Sequence, residues 1–245
     1  MDPTEKVALI TGGARVGRAI ARIFAQRGAH LALAYRNSKQ AAEESASYAA
    51  SVGRKTFLIK ADFTKRKSCA EVIAKIKVRF GRLDILVHLA SVYSETSFAS
   101  FKAETWDQNM DVHLRSACEL ARLAAPLMRK YGGGRIILFG DWTGASGRPR
   151  YKEFLPYYVS KSAAIGLTEA LALELAPDIL VNSIAPGPIL PPTKMKSRER
   201  ENVVKATPLR RWGGAEEIAK AVLFFVETDF VMGECLRVDG GRHLY

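Results

Sequence analysis

Short apolar runs alternate with longer segments of helical periodicity along this chain. The runs are four or five residues long and rich in Val, Ile and Leu, as in strands buried on both faces; they lie at Val7–Ile10, Leu31–Ala34, Thr56–Ile59, Ile85–Leu89, Ile136–Phe139 and Leu180–Ile184. Helical spacing of apolar residues occurs at Val16–Gly28, Gln40–Val52, Ser68–Phe80, Glu104–Tyr131, Tyr157–Ala176 and Ala215–Val226. Strands and helices in this order predict an α/β fold, a doubly wound Rossmann-type parallel sheet with helices on both faces.

The chain has the length of one domain. Its 245 residues can form a single sizeable core, and no repeat, low-complexity tract or linker divides them, so we expect one domain over 1–245. Two stretches, Gly144–Pro156 and Pro186–Glu201, have the composition of loops that lie over a ligand. The second begins with Pro-Gly-Pro, and we expect it to end in a charged, helical lid.

Composition argues against several classes of protein. The first residues lack a secretory pattern, and no apolar run approaches the roughly 20 residues that span a bilayer, so we expect a cytosolic protein without membrane contact. The 3 cysteines and 4 histidines are scattered, which argues against disulfides and metal sites. The net charge is +12, but the basic residues are mostly interleaved with acidic ones. They are not interleaved with aromatic residues, as they would be in a protein that binds single strands, so we expect no nucleic-acid partner.

A glycine-containing turn follows the first predicted strand and precedes the first predicted helix. Its sequence is Thr11-Gly12-Gly13-Ala14-Arg15-Val16-Gly17. Glycines allow the backbone to approach a pyrophosphate, and the N-terminus of the helix supplies unpaired N–H groups and the positive end of a dipole. The position of the turn therefore predicts a dinucleotide site.

The residues after the second predicted strand indicate which dinucleotide binds. NAD enzymes carry an acidic residue here, about 20 residues beyond the turn, for the ribose 2′-hydroxyl. This chain has Arg36 and Ser38, and its next acidic residue is Glu43. Arginine beside serine can bind a 2′-phosphate through charge-assisted hydrogen bonds, so we predict NADP(H), although Arg36 also fits an ordinary position on a basic surface.

Tyr157 and Lys161 open a helix that follows a buried strand carrying Asp141. Positions i and i+4 share a helix face, so the phenol and the ammonium can reach one ligand. A nearby cation lowers the pKa of a tyrosine, which makes proton transfer near neutral pH feasible, whereas an ionised Asp141 would oppose this effect. These three residues form the predicted catalytic group.

The motifs occur in the order and spacing of the short-chain dehydrogenase/reductase family, and the whole chain resembles its members. Within the family it is similar to pteridine reductases and dihydromonapterin reductases. The matching segments are TGGARVG from Thr11, ADF ending at Phe63, LDILVHLAS ending at Ser91, YYVSK from Tyr157, LAPDILVNSIAPGPI from Leu175, and VDGGRHLY at the C-terminus.

The resemblance implies a role for each matching residue. Tyr157 is the proton donor, while Lys161 binds the nicotinamide ribose and lowers the pKa of the tyrosine. The cofactor is held by Thr11, Gly12, Gly13, Arg15, Val16, Gly17, Arg36, Ser38, Asp62, Phe63, Ala90, Ser91, Tyr157, Lys161, Pro186, Gly187 and Ile189. The substrate is held by Arg15, Ser91, Tyr93, Asp141 and Tyr157.

Asp141 is the main reason for the choice of subfamily. At the matching position most members of the family have serine, whereas the pteridine reductases, which this chain resembles here, have aspartate. The chain also departs from the family pattern. Its glycine turn is one residue shorter and lacks the middle glycine, and His88-Leu89 replaces paired asparagines. His113 replaces an asparagine of the proton relay; it either takes over that relay or is a hydrogen-bonded helix residue without a catalytic task.

We therefore expect an NADPH-dependent reductase that transfers hydride to the C=N bond of a dihydropterin, with Tyr157 as proton donor and Asp141 as hydrogen-bond acceptor or proton relay. The alternatives are a reductase of 3-oxoacyl thioesters carried by an acidic protein, a broad carbonyl reductase, and a non-catalytic NADP-sensing protein. The resemblance also implies a homotetramer, assembled partly through the helices at Glu104 and Tyr157.

Overall fold

The sheet is built from short strands, most of them almost wholly buried. The computed structural model describes residues 1–150 and 152–244, and in these residues seven parallel strands follow the order β3-β2-β1-β4-β5-β6-β7. They are β1 Val7–Thr11, β2 His30–Tyr35, β3 Thr56–Lys60, β4 Ile85–His88, β5 Gly134–Phe139, β6 Ile179–Pro186 and β7 Cys235–Val238. The order reverses between β1 and β4, which opens a crevice at the carboxyl ends of these strands.

Helices cover both faces of the sheet and enclose a separate apolar core on each. The α-helices of the described residues are α1 Val16–Gln26, α2 Lys39–Ser51, α3 Ser68–Phe80, α4 Ala103–Met110, α5 Ser116–Arg129, α6 Trp142–Ala145, α7 Leu155–Leu175, α8 Ser197–Lys205 and α9 Ala215–Glu227. Helices α3, α5 and α7 pack on one face, and α1, α2 and α9 pack on the other. The prediction of a doubly wound parallel sheet is confirmed.

The six predicted strands are present, but the prediction missed β7. This strand is four residues long, lies at the edge of the sheet next to β6, and is only partly buried. Its exposed Arg237 interrupts the apolar run that marks the other strands. A short edge strand therefore lacks the pattern by which strands buried on both faces are recognised.

The segment Glu104–Tyr131, predicted to be helical, is helical as far as Arg129, but its hydrogen-bond pattern changes in the centre. Helices α4 and α5 are joined by a π-helical turn at Asp111–Arg115. A π-turn inserts one residue into the hydrogen-bond ladder and leaves a carbonyl for other donors. The Val112 carbonyl accepts hydrogen bonds from the side chains of His88 and Ser116 at 3.0 and 2.8 Å.

The first predicted loop contains more helix than expected, and the second leads into helix as expected. In Gly144–Pro156, α6 ends at Ala145 and α7 begins at Leu155, while Tyr151 lies outside the described residues, as does Tyr245 in the C-terminal tail. The segment from Pro186 leads into α8, whose side chains are not buried, in agreement with a charged helical lid. No helix in the described part of the chain is long and apolar enough to cross a membrane.

Candidate active site

The residues predicted for catalysis meet at the carboxyl end of the sheet. Asp141 follows β5 and caps α6, while Tyr157 and Lys161 lie in the first two turns of α7, which packs against β5 and β6. Loops and helix starts converge at this edge because all the strands of a parallel sheet end there. The fold therefore brings together three side chains that the sequence separates by up to 20 residues.

Asp141 and Tyr157 share a hydrogen bond. The Tyr157 hydroxyl donates to Asp141 Oδ2 over 3.1 Å. Asp141 Oδ1 accepts from the backbone N–H and the hydroxyl of Thr143, at 2.9 and 2.6 Å. Because Thr143 occupies one carboxylate oxygen, the other is oriented toward the phenol, and it has a further lone pair with which to accept a hydrogen bond from a ligand.

Lys161 lies next to this pair. Its Nζ donates to the Phe139 carbonyl over 2.9 Å and is 6.0 Å from the centre of the Tyr157 ring. Burial lowers the pKa of Lys161 from 10.5 to about 8, although the negative charge of Asp141 raises it. The ammonium form therefore predominates at pH 7 but not far above pH 8.

Two aromatic rings lie beside Tyr157. Tyr93 stacks on Phe154 with 4.7 Å between ring centres and meets Tyr157 edge-on at 4.9 Å. Partial burial raises the pKa of Tyr93, and the charges of Asp141 and Glu95 raise it further. Tyr93 is 56% exposed, so part of its ring surface is available to a flat ligand.

His113 is buried between the β4–α4 loop and α7. Its Nδ1 lies 2.8 Å from Ser160 Oγ, and its Nε2 lies 2.8 Å from Ser91 Oγ and 3.1 Å from the Val92 nitrogen. The ring meets Tyr157 edge-on, with 5.6 Å between centres. Burial lowers the pKa of His113 well below 6.5, and the charge of Lys161 acts in the same direction, so the imidazole is neutral at pH 7.

His88 occupies the end of β4 and is also neutral. Its Nδ1 pairs with the Thr11 hydroxyl at 3.0 Å, and its Nε2 with the Val112 carbonyl at 3.0 Å. Burial lowers its pKa to about 4, with the Val112 hydrogen bond opposing the change. Thr11 Oγ1 also accepts from the Ala90 nitrogen. Thr11 is thus used to join β1 to β4, and its predicted contact with the cofactor stays a prediction.

A cavity of about 430 Å³ opens at the ends of β1, β2 and β4. Its lining brings together eight of the predicted cofactor residues: Gly12, Arg15, Arg36, Ser38, Asp62, Phe63, Ala90 and Ser91. Helix α1 begins at Val16, so the unpaired N–H groups of its first turn lie at this end of the sheet. An anion-attracting helix N-terminus, small residues and a basic rim fit a dinucleotide.

Two glycines of the turn, Gly12 and Gly17, are required by close contacts. Gly12 has a φ of +80°, and a Cβ there would lie 3.0 Å from the backbone of Leu89 and Ala90. A Cβ on Gly17 would lie 2.5 Å from the Gly12 carbonyl oxygen. Space for side chains is therefore absent at both positions in the described structure, and the backbone itself lines the cavity.

Arg15 is the unusual residue of the shortened turn. It has a φ of 53°, in the left-handed region that rarely accommodates a side chain, and its Nη2 donates to the Pro191 carbonyl over 2.8 Å. Arg15 thereby links the turn to the segment between β6 and α8. Its predicted contacts with cofactor and substrate stay predictions.

Arg36 and Asp62 lie on the rim of the cavity, 3.9 Å apart. Partial burial raises the pKa of Asp62, but hydrogen bonds from Thr64, together with the charges of Arg36 and Lys65, produce a net decrease. Asp62 is therefore ionised, and Arg36 has a partner that holds it beside the cavity. Ser38 lines the same rim and precedes α2.

The other predicted cofactor residues lie at the end of β6 and just beyond it, in α7, or in the glycine turn and the end of β1 before it. Gly187 is in contact with the C-terminal segment, since a Cβ there would lie 2.5 Å from Asp239 Cβ, and Ile189 is buried in the core. Contact of these residues with a cofactor stays a prediction, as it does for Gly13, Val16 and Pro186. In the described residues, no three His, Cys, Asp or Glu side chains are grouped as for a metal ion.

The sequence analysis missed three residues of the site. Thr143 orients Asp141, Phe154 stacks on Tyr93, and Ser160 bridges His113 to the Tyr157 carbonyl, to which its hydroxyl donates over 2.9 Å. Aspartate two residues before threonine at a helix start is a capping signal that would have indicated the first. The other two depend on contacts between distant segments and leave no local signal.

Comparison with known proteins identifies the class to which this fold and site belong. A family model described as enoyl-(acyl carrier protein) reductase matches residues 13–243. The chain is also 33% identical to 3-oxoacyl-[acyl-carrier-protein] reductase FabG of Thermotoga maritima over 242 residues, which cover 96% of this chain and 97% of that protein. The chain belongs to the short-chain dehydrogenase/reductase family, whose members are NAD(P)(H)-dependent oxidoreductases.

Solved structures agree with this assignment. A short-chain dehydrogenase/reductase from Serratia marcescens superposes with a TM-score of 0.91 at 32% identity, covering 99% of this chain and 100% of that one. FolM alternative dihydrofolate reductase 1 from Brucella canis, complexed with NADP, superposes with a TM-score of 0.90 at 29% identity, covering 100% and 97%. Both structures share the fold over nearly their whole length; the name of the first gives no substrate, and the name of the second gives dihydrofolate.

Proposed function

We propose that the protein is an NADPH-dependent reductase of a dihydropterin-type substrate. The observation that carries this proposal is the hydrogen bond of 3.1 Å between the Tyr157 hydroxyl and Asp141 Oδ2. A pterin carries ring N–H and amino groups, which a carboxylate accepts more strongly than a serine hydroxyl does. The FolM neighbour, named as a dihydrofolate reductase, supports a substrate of this chemical class.

The side chains have complementary tasks in this reaction. Bound NADPH supplies the hydride. Lys161 keeps a positive charge near Tyr157, Asp141 orients the phenol and accepts a hydrogen bond from the substrate, and Tyr157 supplies a proton to the nitrogen of the reduced C=N bond. Tyr93 and Phe154 provide an aromatic wall for a flat ring.

Preference for NADPH over NADH is part of the proposal. Arg36 and Ser38 lie on the rim of the cofactor cavity, where a guanidinium can bind a 2′-phosphate. Asp62, which holds Arg36 at 3.9 Å, is oriented by Thr64 and stays ionised. The NADP complex of the FolM neighbour supports the same choice.

A second candidate is reduction of a 3-oxoacyl thioester. The names of the Thermotoga maritima and Escherichia coli relatives, each 33% identical to this chain, favour it, and they support it more directly than any relative supports the pterin. In this reaction Tyr157 would supply its proton to a carbonyl oxygen, and Asp141 would have no substrate donor to bind. The names of the relatives thus favour the thioester, and the carboxylate favours the pterin.

A comparison of substrates distinguishes the candidates. Wild-type enzyme is assayed for NADPH oxidation with dihydrobiopterin, dihydromonapterin, dihydrofolate and acetoacetyl-coenzyme A, with Tyr157→Phe as the control for chemistry in this site. We expect turnover of a pterin that Tyr157→Phe abolishes without loss of NADPH binding. Turnover of the thioester alone would establish the second candidate, and NADPH binding without any turnover would indicate a cofactor-sensing protein.

We also propose that the enzyme is a homotetramer located in the cytosol. Helices α7 and α9 carry the exposed apolar side chains Leu173 and Phe224, which are 78% and 48% exposed. A contact between subunits would remove these side chains from water. Light scattering of the purified protein measures the assembly, and a monomeric mass would contradict it.

A further inference from the structure

We propose that His113 is a positioning residue that acts on Tyr157 through Ser160, and that it does not carry protons itself. The inference rests on the proposed catalytic role of Tyr157. From the sequence, His113 could either take part in a proton relay or have a purely structural role.

The contacts of the ring determine its tautomer. The Val92 backbone N–H can only donate, so His113 Nε2, at 3.1 Å, must be the acceptor. The imidazole is neutral, so its single hydrogen is on Nδ1, and this group donates to Ser160 Oγ at 2.8 Å. The Ser160 hydroxyl in turn donates to the Tyr157 carbonyl at 2.9 Å. One directed chain therefore runs from the β4–α4 loop to the backbone of the catalytic tyrosine.

This chain is unsuited to proton transfer. A relay histidine must accept a proton at one nitrogen and release one at the other. Nε2 is shared by the Ser91 hydroxyl at 2.8 Å and the Val92 amide at 3.1 Å, which cannot release its hydrogen, and the lowered pKa of the ring disfavours the imidazolium through which a relay passes. His113 is 3% exposed, which restricts access of water. The titratable groups that face it are Lys161 and His88, whose effects both lower its pKa, together with Tyr157, whose ring meets it edge-on. Burial and the effects of Lys161 and His88 therefore oppose protonation of His113.

The π-turn fixes the position of the ring. His113 lies in the middle of this turn, where the preceding residue, Val112, presents its carbonyl to His88 on the side of β4. His113 itself points toward Ser160 on α7. The turn is held by hydrogen bonds on two sides, so the imidazole is anchored firmly enough to orient the first turn of α7.

Three substitutions separate the two arms of the ring. His113→Asn keeps a donor near the place of Nδ1, His113→Gln keeps an acceptor near the place of Nε2, and His113→Phe keeps only the ring. For the phenylalanine variant we expect kcat to fall about tenfold, the effect of losing one or two hydrogen bonds. The asparagine variant should recover kcat to within about threefold of wild type, whereas the glutamine variant should not. Equal losses of kcat in all three, with an altered pH profile, would indicate a relay and overturn the proposal.

A double-mutant cycle tests the route through Ser160. If His113 acts through that hydroxyl, the losses of kcat for His113→Phe and Ser160→Ala are not additive. The double variant then has about the same kcat as the single variant with the lower kcat. Additive losses would overturn the proposed route. His30→Phe is the matched control. His30 is also buried, its Nδ1 accepts from the Lys55 nitrogen, and its Nε2 is paired with Glu5. It lies at the amino-terminal end of β2, away from the carboxyl ends of the strands where the site lies. The control should keep kcat unchanged, and Tm reports any loss of folding in each variant.

A spectroscopic measurement tests the tautomer without any substrate. The chain has 4 histidines, so the spectrum of protein labelled with nitrogen-15 at histidine is simple, and His113→Gln identifies the signals of His113. We expect a neutral ring with its hydrogen on Nδ1 at pH 7, and no titration near pH 6.5. A hydrogen on Nε2, or titration near pH 6.5, would contradict the proposal. Failure of the proposed function appears separately, as normal turnover by Tyr157→Phe.

Discussion

Replacement of Asp141 by serine or asparagine gives the strongest test of substrate class. Asp141 is buried, its Oδ1 is held by Thr143, and its Oδ2 accepts from the Tyr157 hydroxyl. A hydrogen bond to a charged group contributes about 1.5–3 kcal/mol, which corresponds to a factor of roughly 10 to 150 in rate if it is made to the transition state. We therefore expect either variant to lower kcat/KM for a dihydropterin by at least about tenfold.

The thioester provides the internal comparison. A 3-oxoacyl group has no donor for the carboxylate, so at a pH where Lys161 stays protonated, kcat/KM for acetoacetyl-coenzyme A should fall in Asp141→Ser at least about threefold less than kcat/KM for the dihydropterin. Both activities are measured by NADPH oxidation on the same preparations. Thr143→Val is a milder control, since it removes the hydroxyl contact of 2.6 Å while the backbone N–H still orients Asp141. Equal losses for both substrates, or no loss for the pterin, would refute the assignment of Asp141 to substrate recognition.

The variants Asp141→Ser and Asp141→Asn should also shift the pH dependence of kcat/KM. Burial lowers the pKa of Lys161 to about 8 while the charge of Asp141 raises it, so removal of that charge allows a further decrease. Lys161 then loses its proton at a lower pH, and the alkaline limb of kcat/KM moves in the same direction. An unchanged limb in Asp141→Asn would mean that Lys161 does not govern it.

Three further predictions concern the cofactor and its turn. Arg36→Ala should weaken NADPH binding at least about tenfold but leave NADH binding within about threefold, measured by fluorescence titration; equal losses would contradict a 2′-phosphate site. Wild-type kcat/KM should fall as pH rises above about 8, where Lys161 becomes neutral, and a flat profile to pH 10 would refute this. Gly17→Ala should weaken NADPH binding and lower Tm, because its Cβ would lie 2.5 Å from the Gly12 oxygen, whereas Gly166→Ala, with open space around its Cβ, should do neither.

The sheet was predictable because it depends on patterns that repeat along the chain. Strands buried on both faces require continuous apolar runs, and the helices between them require one apolar side, so both leave a signal. The edge strand β7 and the π-turn at Asp111–Arg115 leave none. Edge strands need only partial burial, and a π-turn alters the hydrogen-bond ladder by one residue without changing which residues are apolar.

The candidate site was predictable where residue type limits the chemistry. Tyrosine and lysine four residues apart at a helix start, and a glycine turn after a strand, have few other uses together. The hydrogen-bond partners of the polar side chains were not predictable. Thr11 and Ser91 fit the sequence pattern of residues that contact a ligand, yet their hydroxyls are bonded to His88 and His113. Whether a polar side chain serves a ligand or the scaffold depends on neighbours that only the fold brings near.

The departures from the family pattern are connected in space. His88 joins Thr11 at the end of β1 to the Val112 carbonyl of the π-turn, and His113, the next residue of that turn, joins the β4–α4 loop to Ser160 on α7. Two neutral imidazoles, each with one donor and one acceptor nitrogen, thus hold the same turn from opposite sides. A substitution at His88 therefore acts on the placement of His113 as well, because the carbonyl it binds belongs to the adjacent residue. The two histidines form one unit, so changing either one alone disturbs both the strand ends at the cofactor cavity and the helix that carries Tyr157.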